Sequence, residues 1–226
     1  MAKSDQELRD KVLRVEERLL QAYGEPEWRP HLEPVAELVS TILSQNTNDT
    51  NRDVAFDRLR DRFDTWEAVR DADTKDVIEA IRPAGLANQK GPRIQAALQF
   101  IAQERGELSL DFLADWPVDE AKAWLTSIKG VGPKTAAIVL LFALGRPAFP
   151  VDTHVHRVSR RLGLIGPKVS REKAHDVLED LVPEEDYLPF HLNMIRHGRE
   201  VCASSTPRCN ECNLTDLCNW YQENRA

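Results

Sequence analysis

Lys134, Asp152 and the four cysteines Cys202, Cys209, Cys212 and Cys218 are the residues whose types and spacing could do chemistry. Lys134 follows the turn Lys129-Gly130-Val131-Gly132 and a proline, Pro133. Proline suits the first position of a helix, where its missing N–H is no loss. The two glycines permit positive φ and the close approach of a partner. Their amides, exposed at a helix N-terminus, suit a phosphate. A lysine in that first turn faces the positive end of the helix dipole, which works against its ammonium form. A neutral lysine amine is a nucleophile that makes Schiff bases with carbonyl carbons. Taken alone, the same lysine reads as a solvated side chain beside a glycine turn. Asp152 stands at an N-cap position, and in isolation an N-cap needs no further role.

The cysteines run Cys202-x6-Cys209-x2-Cys212-x5-Cys218 and include every cysteine of the chain. In a reducing compartment such a set reads as metal ligands rather than disulfides. Four thiolates can hold zinc or an iron–sulfur cluster. Structural zinc sites usually show two close pairs, and only Cys209 and Cys212 form one here. Arg208 lies between the first two ligands, where it could contact a phosphate.

The elements that position these residues read as helices. Ser4-Asp5-Gln6-Glu7 is a capping box, followed by Leu8, Val12, Val15 and Leu19 at helical spacing, with Gly24 and Pro26 as the stop. Pro34 opens a helix with Val35, Leu38, Val39 and Ile42 on one face. Asn48 or Asp49 caps a third, carrying Val54, Leu59 and Phe63. Helical patterns follow at 65–70, 74–81, 89–105 and, briefly, 110–114. The stretch 125–157 reads as helix, tight turn, helix, connector and helix start, with Gly145 and Pro147 ending the second helix. Further helices fall at 153–162, 171–181 and 187–201. No stretch alternates with period two, so no strands are expected. The class is all-α.

The chain has 226 residues, 42% of them hydrophobic, enough for a core, and a formal net charge of −7. That charge argues against a polycationic, nonspecific nucleic-acid binder but leaves a local basic face open. Arg157, Arg160 and Arg161 form one such cluster, either a solvated face or a contact with the cysteine loop. His154, His156 and His197 show no metal-site spacing and read as hydrogen-bonding groups. No apolar run reaches membrane length, and MAKSDQELRD has no signal-peptide core. The expected location is cytoplasmic, nucleoid-associated in a prokaryote.

The pattern Gly-Val-Gly-x-Lys-Thr-Ala followed by Val-Asp-Thr-His resembles the helix-hairpin-helix and Gly/Pro…Asp loop of the endonuclease III family of DNA repair glycosylases. The likeness extends over about Val35 to Cys218. It implies two lobes: a six-helix barrel with the hairpin, residues 27–146, and an iron–sulfur lobe from both chain ends, 1–26 and 147–226, with DNA across the groove between them. It implies Lys134 as catalytic nucleophile, Asp152 as catalytic aspartate, a 4Fe–4S cluster on Cys202, Cys209, Cys212 and Cys218, and phosphate contact at Gly130, Val131 and Gly132. Asn46 falls where the family fills the hole left by a flipped base. Endonuclease III typically has glutamine there, so Asn46 departs from the pattern and bears on substrate range. By itself, the Ser-Gln-Asn-Thr run at a helix end is equally capping chemistry. Leu86 falls at the family's apolar wedge.

The implied activity is that of a monomeric, bifunctional glycosylase and AP lyase on duplex DNA with a damaged pyrimidine. Two alternatives stand beside it. Adenine-excising mismatch relatives carry serine at the Lys134 position and a catalytic glutamate near Thr41, and both are absent. Thymine- or uracil-directed mismatch relatives generally carry tyrosine in place of the lysine. A helix-hairpin-helix module that only binds DNA would need neither Lys134 nor Asp152.

Overall fold

The computed structural model describes residues 5–26 and 32–224. Among them every regular element is helical, as the all-α expectation requires. In chain order the α-helices are α1 (Asp5–Tyr23), α2 (Pro34–Ser44), α3 (Asp49–Arg62), α4 (Trp66–Asp71), α5 (Thr74–Ala80), α6 (Ala87–Arg105), α7 (Val118–Ser127), α8 (Pro133–Ile138), α9 (Thr153–Leu162), α10 (Arg171–Leu181), α11 (Tyr187–Glu200) and α12 (Asn219–Glu223). Ser4 of the expected capping box and the expected boundary at Glu27 lie outside the described residues. The chain divides into two compact units, Pro30–Arg146 and Met1–Arg29 with Pro147–Ala226.

The unit Pro30–Arg146 is built on α2, which is buried along its whole length except at Glu37 and Ser44. A helix apolar on all sides belongs in a core. Asn48 rather than Asp49 caps α3, accepting from the Asn51 amide at 2.8 Å. Thr65 caps α4 through the Ala68 amide at 3.1 Å. Helix α6 braces the unit. Its buried Gln95 donates to the carbonyls of Val69 at 3.1 Å and Ala72 at 2.9 Å, closing the end of α4. At Gly91 a Cβ would come within 2.8 Å of Ile78 Cγ1, so glycine sets how closely α6 approaches α5.

The second helix of the hairpin departs from the regular form expected of it. After α8 the backbone widens into a π-turn at Val139–Ala143. Gly145 then takes φ 62°, and the Arg146 amide returns to the Leu140 carbonyl at 2.8 Å. A π-turn admits one extra residue per turn. Neither Gly145 nor Pro147 announces it, because each only marks where the helix stops.

In the unit built from both chain ends, Val12, Val15 and Leu19 of α1 are buried, as are Val155, Val158 and Leu162 of α9. Helix α1 stops at Gly24, with φ 75° and its amide on the Leu20 carbonyl at 2.7 Å. A Cβ at Gly198 of α11 would lie 2.8 Å from His154 Cβ, so these two helices meet closely at glycine.

Candidate active site and cysteine loop

Lys134 belongs to the unit Pro30–Arg146 and Asp152 to the other. Lys134 is half-buried in the first turn of α8 and has no hydrogen bond or ion pair to another described residue. The turn before it is anchored by Val131, whose side chain is buried and whose amide is spent on the Ile128 carbonyl at 3.0 Å. Among the described residues the Gly130 and Gly132 amides have no such partner. Only Gly130 has the positive φ expected of both glycines, at 91°. Gly132 is extended, at φ −101° and ψ 177°, a conformation any residue adopts. A Cβ at Gly132 would meet nothing within 4 Å, so no intramolecular contact demands glycine there.

Asn46 and Leu86 are both exposed, and both belong to this unit. They are the non-glycine residues with positive φ among those described, at 53° and 50°. Left-handed backbone costs a non-glycine residue of the order of 1 kcal/mol and gathers at functional sites. Gln45, next to Asn46, reaches the hairpin: its Nε2 donates to the Gly130 carbonyl at 3.4 Å. Arg93 of α6 reaches Gln45 Oε1 at 3.5 Å, and its Cδ would lie 3.3 Å from a Cβ at Gly130. The Asn46 segment, the hairpin turn and α6 are therefore neighbours. In the sequence Gln45 stands out only as part of the Ser-Gln-Asn-Thr run, and Arg93 sits in no spaced motif.

In the other unit Asp152 caps α9. Its Oδ1 accepts from the Val155 amide at 2.7 Å, and its backbone is extended. Further along α9, Arg157 donates to the carbonyls of Cys202 at 3.0 Å and Gly198 at 2.8 Å. Arg161 donates to Cys202 Sγ at 3.2 Å, to the Ala203 carbonyl at 2.7 Å and to the Ser204 carbonyl at 2.9 Å. These two arginines therefore hold the cysteine loop, while Arg160 faces solvent. Burial is the main cause pulling the Arg157 pKa down. Arg208 is exposed, donates to the Glu200 carbonyl and pairs with Glu211 at 3.1 Å, so a phosphate would share its guanidinium with these groups.

All four cysteines line one apolar pocket, along with Leu162, Val201, Leu214 and Trp220. None of the four is in a disulfide. Cys212 Sγ accepts from the Leu214 amide, and Cys218 Sγ from the Tyr221 amide, each at 3.4 Å. Burial above all, with the other cysteines adding, pushes the Cys212 thiol up to about 11 and raises Cys218. Buried thiolates crowded together without a cation are disfavoured in this way. His197, pulled down to about 4 by burial, bonds the Tyr23 hydroxyl at 3.0 Å through Nδ1 and lies 3.6 Å from Cys212 Sγ through Nε2. Among the described residues no three Cys, His, Asp or Glu side chains converge as a single ion requires. A four-iron cluster spreads its thiolates around a cube and makes no such demand. An apolar cavity, four thiols and N–H groups aimed at sulfur fit such a group.

The family described as HhH-GPD superfamily base excision DNA repair protein matches residues 39–184. Endonuclease III of Sulfolobus acidocaldarius is 35% identical over 191 residues, which cover 84% of this chain and 83% of that one. Endonuclease III of Thermotoga maritima is 34% identical over 190 residues, covering 84% of each chain. A solved structure of a trapped covalent intermediate between endonuclease III and DNA aligns with a TM-score of 0.81 at 27% identity, over 98% of this chain and 99% of that one. With the hairpin, the capped Asp152 and the four-cysteine cavity in one chain, these matches make the protein an endonuclease III-like member of the HhH-GPD superfamily of base excision DNA repair proteins.

Proposed function

We propose that the protein is a DNA glycosylase with AP lyase activity that removes oxidised pyrimidines from duplex DNA. One observation carries this reading: Lys134 is half-buried, without a partner among the described residues, beside two glycine amides that are equally unpartnered. A lysine kept for structure would have an acceptor. A lysine kept for nucleophilic attack needs its amine free and partly desolvated.

In this reading the glycine amides and Arg208 hold backbone phosphates. Asn46 and Leu86 fill the space of the extruded nucleotide. The Lys134 amine attacks C1′ as the C1′–N bond breaks and its electron pair leaves on the base, which takes up a proton. Ionised Asp152 offsets the positive charge that gathers on the sugar. The C1′–O4′ bond then breaks as the nitrogen lone pair forms the C=N bond and O4′ takes up a proton; the resulting Schiff base loses the C2′ proton and expels the 3′-phosphate by β-elimination, nicking the strand.

Cys202, Cys209, Cys212 and Cys218 would hold a 4Fe–4S cluster. When bound, the cluster cross-links a segment with little core of its own. The reading includes the two-lobed arrangement of a six-helix barrel and an iron–sulfur lobe, a monomeric state and a cytoplasmic location. No helix among the described residues is long and apolar enough to cross a membrane.

Borohydride trapping tests the reading directly. With a duplex containing a single abasic site, reduction is expected to yield a covalent protein–DNA adduct. A protein that binds this duplex and gives no adduct makes no Schiff base, and the lyase reading falls.

A further inference from the structure

Lys90 is the third residue that joins Asn46 and Leu86. It lies on the apolar face of α6 in register with Ile94, Leu98 and Ile101, and is 1% exposed. Its ammonium donates to two backbone carbonyls, those of Leu43 and Ala84, each at 2.8 Å. Leu43 is in the last turn of α2, and Gln45 and Asn46 follow directly. Ala84 ends the short 3₁₀ turn Arg82–Ala84, and Gly85 and Leu86 follow directly. The final carbonyls of a helix have no partner within it and carry the negative end of its dipole, so a cation is suited to them. One ammonium closes both ends at once. The chain leaves each end into a residue with left-handed backbone, Asn46 on one side and Leu86 on the other.

We infer that Lys90 is a positioning residue for nucleotide extrusion, a buried cationic tie that sets Asn46 and Leu86 in fixed relation so that the two wedges act as one. The inference rests on the glycosylase reading above and deepens it. The two wedge segments are 40 residues apart in the chain and exposed at their tips, so their spacing must be imposed from below. A side chain without N–H donors at position 90 would leave two buried carbonyls unsatisfied and let the two ends part. An offset of about 1 Å at a site of this kind can cost about a hundredfold in rate. Burial pulls the Lys90 pKa down. Two carbonyl oxygens turn their partial negative charge toward the ammonium and work against that lowering.

The test compares two substrates. One is a duplex with a single thymine glycol paired with adenine, where a base must be extracted. The other is the same duplex with a preformed abasic site, where none must be. Lys90→Met keeps an unbranched side chain one atom shorter and removes the charge and the N–H donors. It is expected to lower release from the paired lesion by about tenfold or more, with nicking of the abasic site within about threefold. Fluorescence of a 2-aminopurine placed beside the lesion should show less extrusion. Lys90→Gln, which keeps an N–H donor, should fall between the wild-type protein and Lys90→Met, and it decides the matter if Lys90→Met does not fold. Equal losses on both substrates, or no loss, would overturn the inference. Asn46→Ala and Leu86→Ala are measured alongside. If they lose the paired lesion selectively and the Lys90 variants do not, the tie alone is wrong. If neither wedge variant is selective, the wedge assignment has failed and the role of Lys90 with it. If the wild-type protein acts on neither duplex, the glycosylase reading itself is wrong.

Discussion

Arg161 Nη1 lies 3.2 Å from Cys202 Sγ and 2.7 Å from the Ala203 carbonyl, while its guanidinium sits 4.8 Å from the Trp220 ring centroid. One cation of α9 thus grips the start of the cysteine loop and its far end. Asp152 caps the same helix from the other side, so a ten-residue helix links the carboxylate to the cysteines.

Arg161→Met is expected to loosen the loop. Hydrogen bonds from a charged donor contribute about 1.5–3 kcal/mol each and do not simply add, so a loss of about 2 kcal/mol, or about 5 °C in melting temperature, is expected. Iron analysis goes with it: the purified wild-type protein should hold about four irons per chain and no stoichiometric zinc. Cys212→Ser should be poorly soluble rather than soluble and inactive. One zinc per chain and no iron would remove the cluster from the reading.

Lys134→Ala should abolish base release and strand nicking and leave DNA binding intact. The variant loses the amine but keeps the Gly130 and Gly132 amides. With no partner to lose among the described residues, it should melt within about 0.5 kcal/mol of the wild-type protein. Residual nicking at the wild-type rate would mean that another group is the nucleophile.

Asp152→Asn should separate charge from cap. Asparagine accepts from the Val155 amide about as well as aspartate, so stability should hardly move while base release slows by about a hundredfold. Asp152→Ala should lose about 1 kcal/mol of stability in addition. If Asp152→Asn lost activity and stability together, the aspartate would be serving the helix alone.

Glu16 of α1 predicts a pH dependence. It is buried, and its Oε1 has no hydrogen-bond partner. Burial first, then the charge of Asp186 and a hydrogen bond with it, push its pKa up to about 8 from 4.5. The folded protein therefore holds a proton there that the unfolded chain has released, so this contribution declines as pH rises from about 4.5 to about 8. Glu16→Gln should flatten that decline and raise the melting temperature at pH 8. A variant with an unchanged pH profile would show that Glu16 ionises normally.

Much of this protein was legible residue by residue. The cap at Asp152, the helix stops at Gly24 and Gly145, the proline at the start of α8 and the absence of strands among the described residues follow from local backbone chemistry, which depends on neighbours a few positions away. The cysteine spacing carries its own signal for the same reason. The tertiary structure decided what depends on which helix packs on which. It settled that Arg157 and Arg161 face the cysteine loop, that Gly132 is extended, and that a π-turn follows α8. It also placed Lys90 under the Asn46 and Leu86 segments. A lysine in register with Ile94, Leu98 and Ile101 hints in the sequence at burial. Its two acceptors, 47 and 6 residues away, are main-chain carbonyls. Every residue has such a carbonyl, so no residue type marks which of them a distant ammonium will find.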